Sequence, residues 1–178
     1  MKQCLCIITA VLLATAAGTG CMDARPKAVS SIWSLSSIGI GYEYTMDERS
    51  FGQVEMCTEM SDMFFGRGGI TGVAASFTWN MIFAKAESRN GNTVSFYSGP
   101  GAVLGWSKDL GGTSGGIFGL KGRIGAECVF ERKIAVSIGF APILGMHVSA
   151  KDDIMSMRLY RNGLMYSLSP EIGIKYAF

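Results

Sequence analysis

The sequence predicts an all-β fold: an eight-stranded antiparallel up-and-down barrel whose strands cross a membrane. Three observations lead to this prediction. Short segments alternate between apolar residues and small or polar ones, which is typical of strands whose two faces meet different surroundings. No apolar run after residue 20 is long enough for a membrane-spanning helix. Charged residues make up 17% of the chain, below the roughly 25% of an ordinary soluble domain.

Residues 1–20 are interpreted as an export signal, with Lys2 as the charged start and Cys4–Ala17 as the apolar core. Residues 21–31 are then a polar periplasmic lead-in, and residues 32–178 form the barrel. Cys21 follows the small residues Gly18–Gly20, as in the precursor of a lipid-anchored protein, but the usual aliphatic residue three positions earlier is missing. Lipidation of Cys21 therefore stays an open alternative.

The segment 168–178 shows the alternation most clearly. Every second residue is apolar or aromatic, and the residues between them are small, polar or charged. The same pattern repeats along the chain. The predicted strands are a first strand that ends in Ile38–Tyr44, then 51–60, 71–83, 93–106, 117–130, 133–148, 154–160 and 164–178.

The predicted connections are rich in turn residues. Asn90-Gly91 and Asn162-Gly163 are hairpin turns, Glu131-Arg132 is a tight turn, and 62–69 and 111–116 are glycine-rich connections. With both termini on the periplasmic side, this count puts the short Glu131-Arg132 turn on the outer side of the membrane and the 111–116 loop on the periplasmic side. Outer-membrane barrels usually have the reverse arrangement, so either the 154–160 segment belongs to a loop or one strand is wrongly divided.

The opposite faces of the predicted strands carry Gly, Ala and Ser with a few charged residues. An eight-stranded barrel is just wide enough inside to be filled by side chains, and a buried charge must be paired. We therefore predict a plugged lumen with a network of ion pairs. Its members are Glu43, Glu55, Glu127, Lys121, Arg123, Arg158, Glu171 and Lys175, with Glu59 also pointing inward.

Two other functions stay open at this point. The only His, His147, lies two residues before Ser149, so both share one strand face and could act as base and nucleophile of a lipid A-modifying deacylase. With its apolar faces turned inward, the chain would instead be a lipocalin-like periplasmic binder of an apolar ligand. We expect no metal and no cofactor, because the Cys spacing fits no zinc site and the glycine clusters lack a phosphate-loop sequence.

The export signal, the eight alternating strands and the I-G-I-K-Y-A-F end together resemble the small eight-stranded outer-membrane β-barrels of Gram-negative bacteria. Y-S-G-P-G at 97–101 and Y-R-N-G-L at 160–164 are similar to segments of Bacteroidetes members, a family with no assigned activity. The resemblance implies a location in the outer membrane and a C-terminal signal for the barrel assembly machinery. That signal would consist of Ile172, Ile174, Tyr176 and Phe178.

The expected function is therefore non-enzymatic: a structural, adhesive or envelope-stabilising role of an integral outer-membrane protein. Its expected partners are the lipid bilayer and the assembly machinery, while any partner at the cell surface is unknown. The formal net charge of +2 is too small to indicate nucleic-acid binding.

Overall fold

The strands of this protein close into an antiparallel barrel. The computed structural model describes residues 27–60, 70–87, 92–109, 113–130, 133–151, 154–165 and 168–178. Its elements are β1 Ala28–Ser34, β2 Ser37–Asp47, β3 Ser50–Glu59, β4 Gly72–Glu87, β5 Thr93–Lys108, β6 Ser114–Phe130, β7 Ile134–Phe140, β8 Ile143–Lys151, β9 Ile154–Leu159, the short helix α1 Arg161–Met165, and β10 Pro170–Ala177.

These ten strands occupy eight positions around the barrel. Each strand from β1 to β6 pairs with the next one in the chain, and β10 closes the ring by pairing with β1. β7 and β8 share the seventh position, because both continue the same register along β6 on either side of Ala141 and Pro142. β9 pairs with β8 and β10 pairs with β7, so these two share the eighth position. The predicted eight-stranded up-and-down barrel is confirmed.

The register sets the tilt of the strands. Following the Cα partners from Ala28 through β2 to β6 leads to Ile143 on β8. Going the other way, Ala28 lies opposite Ala177, whose N–H donates to the carbonyl of Lys133. The two routes around the ring reach the seventh position at Ile143 and at Lys133. One full turn around the barrel therefore shifts the register by 143 − 133 = 10 residues. With common strand spacings, this stagger gives a tilt of about 41°, within the usual range for barrels.

The first strand was missed in the sequence. The structure places residues 28–31 in β1, which pairs with β2 on one side and β10 on the other. The predicted lead-in 21–31 was therefore wrong at its C-terminal end, where residues 28–31 belong to the barrel. The chain then turns at Leu35 and Ser36, where the Ser34 hydroxyl oxygen accepts the backbone N–H of Ser37 at 3.0 Å. Such serine turns compete with a continuous strand. Trp33 and Ile38 therefore lie opposite each other on the two strands of a hairpin.

The last two predicted strands were also wrong in their division. The segment 154–160 corresponds to β9, but β9 and β10 lie end to end in one barrel position rather than in two. Asn162 and Gly163 belong to α1 and are buried, so they are not a hairpin turn. One missed strand and one extra strand cancel each other in the count of eight.

Because β1 precedes them, the connections between β2 and β7 lie at the opposite end of the barrel from the end that the predicted strands gave them. We call the end where β1 begins and β10 finishes the lower end. The lower end carries the connections 48–49, 88–92 and 131–133, and the opposite, upper end carries 60–71 and 109–113.

Ser114, Gly115 and Gly116, predicted to be loop, begin β6. The predicted turns at 62–69, Asn90-Gly91 and Glu131-Arg132, the export signal 1–20 and Cys21 lie outside the described residues.

The two faces of the wall have opposite character. Outward positions carry large apolar side chains that are exposed, such as Ile138 at 55% and Leu120 at 66%. Among the described strand residues, outward positions are charged only at strand ends, as with Asp47 and Lys108. Inward positions carry the buried polar and charged residues. The alternation seen in the sequence thus separates an apolar outside from a polar inside.

Candidate functional site

The lower part of the interior holds one lysine between two carboxylates. Lys175 projects inward from β10, and its Nζ lies 2.6 Å from Glu43 on β2 and 2.5 Å from Glu127 on β6. All three side chains are buried. Lys175 Nζ also lies 5.2 Å from the centre of the Phe51 ring and 5.5 Å from that of Tyr97. We call these five residues the lower cluster.

The two aromatic rings of the lower cluster pack against each other inside the barrel. Phe51 and Tyr97 are fully buried and meet edge to face, with ring centres 5.3 Å apart. The Tyr97 ring fits because Gly125 opposes it across the β5–β6 pair, where an added Cβ would lie 2.8 Å from the Tyr97 oxygen. Together with the ion pairs, these rings block the barrel near its lower end.

A second group of charges lies above the lower cluster. Glu55 on β3 accepts hydrogen bonds from both Lys121 and Arg123 on β6, across the barrel. Arg123 Nη2 is also 3.3 Å from Glu171, and Lys121 donates to the Ser76 hydroxyl at 3.1 Å. These five residues are the middle cluster. Two carboxylates face two cations, so the cluster is neutral, which is what a buried ionic group requires.

A third group of polar residues lies near the upper end, where two hydroxyl groups donate hydrogen bonds to the Glu59 carboxylate. Glu59 accepts hydrogen bonds from the Tyr160 hydroxyl at 2.6 Å and from the Ser107 hydroxyl. Tyr160 is buried, and its pKa is raised above the ordinary tyrosine value, first by burial and then by the Glu59 carboxylate. Asn162 donates from its side chain to the Lys108 carbonyl at 3.0 Å. These five residues form the upper cluster, which anchors the segment between β9 and β10 over the lumen.

A small polar cavity remains between the middle and upper clusters. Its volume is about 60 Å³, and its lining includes Glu59, Glu171, Lys121 and several serines. A buried water needs roughly 10–15 Å³ of such space, so the cavity has room for about four waters. Together with the block at the lower cluster, this makes the lumen a filled interior.

Arg158 is the one predicted network member that the structure places elsewhere. Its side chain is exposed, and its Nε donates to Ser156 at 3.2 Å. Its position on β9 is one that faces inward, as the sequence indicated, because it lies opposite the buried His147 on β8. However, β9 pairs only with β8 among the described strands, so this stretch of the wall has no neighbour to enclose it. The prediction that Arg158 joins the lumen network is wrong. The structure places the other named members inside: Glu43, Glu55, Glu127, Lys121, Arg123, Glu171 and Lys175.

His147 and Ser149 both lie on the inner face of β8 and are buried. The His147 ring stacks on Tyr160, with ring centres 6.5 Å apart, and its Nε2 lies 3.0 Å from the Ser107 carbonyl. Since a carbonyl only accepts, this nitrogen carries the proton and is not free to act as a base. A lipid-modifying enzyme must also present its nucleophile to the bilayer, so this geometry gives the deacylase interpretation no support.

The orientation of the wall contradicts the lipocalin-like alternative. That alternative needs Phe77, Trp79 and Ile138 inside the barrel and Lys121 outside. The structure has the three apolar side chains exposed on the outside and Lys121 buried. The residues of the predicted assembly signal share that outer face, where all four are exposed: Ile172, Ile174, Tyr176 and Phe178.

Several interior residues were not predicted from the sequence. Tyr97 has the same inward parity as Ser95 and Gly99, so the alternation itself could have identified it as a lumen residue. Phe51 could have been found in the same way from Gln53 and Glu55. Tyr160 has the same parity as Ser156 and Arg158 in the predicted strand 154–160, so the alternation placed it on the inner face as well. Asn162 carried no such signal, because it enters the interior from α1.

Searches of protein-family models, curated proteins and solved structures gave no match to this chain. In the described part of the chain, no helix is long and apolar enough to cross a membrane. Nor do the described His, Cys, Asp and Glu residues group in a way that could hold a metal ion.

Proposed function

We propose that this protein is an integral outer-membrane β-barrel of a Gram-negative bacterium, with a non-enzymatic structural, adhesive or envelope-stabilising role. The observation that carries the proposal is the apolar outer wall around a charged interior. Soluble monomers rarely expose apolar patches larger than a few hundred Å². Here exposed large apolar residues occur on the outer face of every strand from β1 to β10.

The height of the apolar wall supports the proposal. On β6 the outward positions from Phe118 to Phe130 carry no charged residue. At a 41° tilt this stretch rises about 30 Å along the barrel axis. The hydrocarbon core of a bilayer is about 30 Å thick, and the apolar band of an outer-membrane barrel is about 25 Å tall.

The ends of the barrel also fit this proposal. Aromatic residues gather at the lower end of the wall, among them Tyr44, Phe83, Phe96, Phe130 and Tyr176, as in the girdles of membrane barrels. The longest connection, 60–71, is at the upper end. The lower end then faces the periplasm, and the exported chain would enter the membrane with its last strand recognised by the assembly machinery.

The filled interior supports a structural role over transport. The lower cluster blocks the lumen with two aromatic rings and three ion-paired side chains. The middle cluster holds four further paired charges, so solute flow would require both clusters to come apart. The parts that remain available to a partner are the connections at the upper end.

The test is fractionation of cells that express the full chain, combined with gels of boiled and unboiled samples. We expect the protein in the outer-membrane fraction, resistant to salt extraction, with a mobility that changes on boiling. Release by osmotic shock or by salt would refute membrane insertion. For the surface role, deletion of residues within the 60–71 connection should leave both properties intact while altering cell-surface binding or envelope integrity; deletion without either effect would contradict that role.

A further inference from the structure

The barrel wall is interrupted between its seventh and eighth positions. On this side, β7 pairs with β10 only up to Phe140, and β8 pairs with β9 only from Met146 onward. The described residues that directly follow β9, 160–165, lie in this space, where Tyr160 donates its backbone N–H to the Gly145 carbonyl at 2.9 Å. Gly163 packs so closely on β8 that an added Cβ would lie 2.9 Å from the Ile143 carbonyl oxygen. The seal therefore consists of a short segment rather than of a strand.

A cavity or groove lies on each side of this interruption. Inside is the polar cavity of about 60 Å³, whose lining includes Ile143 and Gly163. Outside is an apolar groove of about 300 Å³, whose lining includes Gly122, Pro142, Leu144 and Leu164. Ile143 and Lys121 line both. The two spaces are thus neighbours, separated by one layer of chain.

The outer groove lies within the height of the apolar wall. Gly122 and Leu120, which also lines the groove, are outward positions of the Phe118–Phe130 stretch of β6. Given the proposed membrane location, on which this inference rests, the molecules available at that depth are lipid acyl chains. A groove formed by Gly and Pro beside leucines fits a single chain, because its lining is mostly apolar and its one charged residue, Lys121, is already paired with Glu55.

The inner cavity favours a neutral head group that carries hydroxyls. Its charged lining residues are already satisfied: Lys121 by Glu55, Glu59 by Tyr160 and Ser107, and Glu171 by Arg123. A charged head would have no free counter-charge among these described residues. In contrast, Ser169 is a lining residue of the cavity whose hydroxyl oxygen is buried and has no hydrogen-bond partner among the residues that the structure describes. A buried polar atom without a partner is costly, so a hydrogen-bonding guest would be stabilised there.

We propose that this interruption is a lateral binding site for a single-chain amphiphile with a small neutral hydroxylated head, of the monoacylglycerol class. The chain lies in the outer groove, and the head passes between Pro142 and Leu164 into the cavity, where it displaces water and bonds to Ser169. The Tyr160–Leu164 segment is the part that moves aside. The cavity's volume limits the head to about four water-sized groups, so bulky sugar heads are excluded.

The test uses the purified full chain in micelles of dodecyl maltoside, whose chain fits the groove but whose head is too large for the cavity. The probe is 1-lauroylglycerol, a monoacylglycerol whose chain has the same number of carbons, and its retention is measured by native mass spectrometry. We expect one probe molecule to be retained per barrel. Gly122→Leu should fill the groove and weaken retention by at least ~10-fold, because several methylene contacts are lost; its Cβ site is 3.4 Å from the nearest atom, Pro142 Cγ, so the wall tolerates a side chain.

Two further variants separate the site from nonspecific uptake. Ala126→Leu is the matched control, because Ala126 is another small outward residue of β6 but does not line the groove. It should leave retention unchanged. Ser169→Ala removes the head's hydrogen bond and should lower retention by roughly 10-fold, the equivalent of about 1.4 kcal/mol. Equal retention by Gly122→Leu and Ala126→Leu, or no preference for the probe over the detergent, would overturn the site even if the protein fractionates with the membrane.

Discussion

Lys175 on the last strand and Glu43 on β2 form a buried ion pair, with 2.6 Å between Nζ and Oε2. The two residues are 132 positions apart in the chain, and β1 lies between their strands. Lys175 also contacts Glu127 on β6, so one side chain connects three strands across the lumen. The ring is therefore closed on its inside by this ionic contact as well as by the β1–β10 ladder.

Lys175→Met should strongly destabilise the barrel, because it leaves Glu43 and Glu127 buried with their main cation removed. Removing one partner of a buried ion pair typically costs about 3–5 kcal/mol. Urea unfolding in lipid vesicles would measure the loss. Lys85→Met is the control, since Lys85 forms an exposed pair with Glu87 at 3.0 Å, and such pairs contribute about 0–1 kcal/mol. Similar losses in the two variants would contradict the role given to Lys175.

Glu55→Gln should destabilise the barrel by about 3–5 kcal/mol, because Lys121 and Arg123 lose their shared carboxylate. Adding Lys121→Met restores the balance of charge in the middle cluster. We therefore expect the double variant to be more stable than Glu55→Gln alone, with a coupling free energy of about 1–3 kcal/mol in a double-mutant cycle. Additive losses would show that the three residues do not act as one cluster.

Ile138→Arg tests whether the outer wall faces lipid. Ile138 is 55% exposed at mid-height of the barrel. In a bilayer, an arginine there should cost about 2–4 kcal/mol, whereas at an exposed position in water it would cost little. The measurement is unfolding from vesicles. Ile70→Arg is the control, because Ile70 is at least as exposed but lies outside the strands. No difference between the two variants would argue against a lipid-facing wall.

Phe178→Ser should reduce the amount of folded barrel in the outer membrane, because the predicted assembly signal needs its aromatic end. The folded fraction is measured in cells from the boiling-dependent gel shift. Phe83→Ser is the matched control, as Phe83 is another exposed aromatic residue near the lower end of the wall. Wild-type levels of Phe178→Ser, or an equal loss in both variants, would remove the support for a specific signal.

The Tyr160–Glu59 hydrogen bond predicts a loss of stability at high pH. Burial and the Glu59 carboxylate raise the pKa of the Tyr160 hydroxyl in the folded protein. The folded pKa lies above the unfolded one, so this contribution is complete below the unfolded value of about 10 and is lost as the pH rises toward the folded value. The stability difference between wild type and Tyr160→Phe should therefore be constant from pH 7 to about 10 and shrink above it. Tyr176→Phe, on the outer face, is the control, and a difference that stays constant to pH 11 would contradict the assignment.

The strand alternation was sufficient to predict a two-faced wall and most of the interior charges. Residues at positions i and i+2 of a strand must share a face, so Glu55, Lys121, Arg123 and Lys175 could be assigned to one side from the sequence alone. The number of strands was also predicted, although through two errors that cancelled. β1 was missed because only its pairing on both sides identifies it as a wall strand, while its sequence A-V-S-S-I-W-S is short and weakly patterned.

By itself, the sequence determined that this chain forms strands with one apolar and one polar face, since that depends only on the order of residues along each strand. The tertiary structure decided which strands are neighbours, and hence that Lys175 contacts Glu43 and Glu127, and that Arg158 stays outside the network. It also decided that the chain from Tyr160 to Gly163 folds inward over Glu59. These outcomes depend on a ten-residue stagger and on contacts between distant strands, which no local pattern of residues specifies.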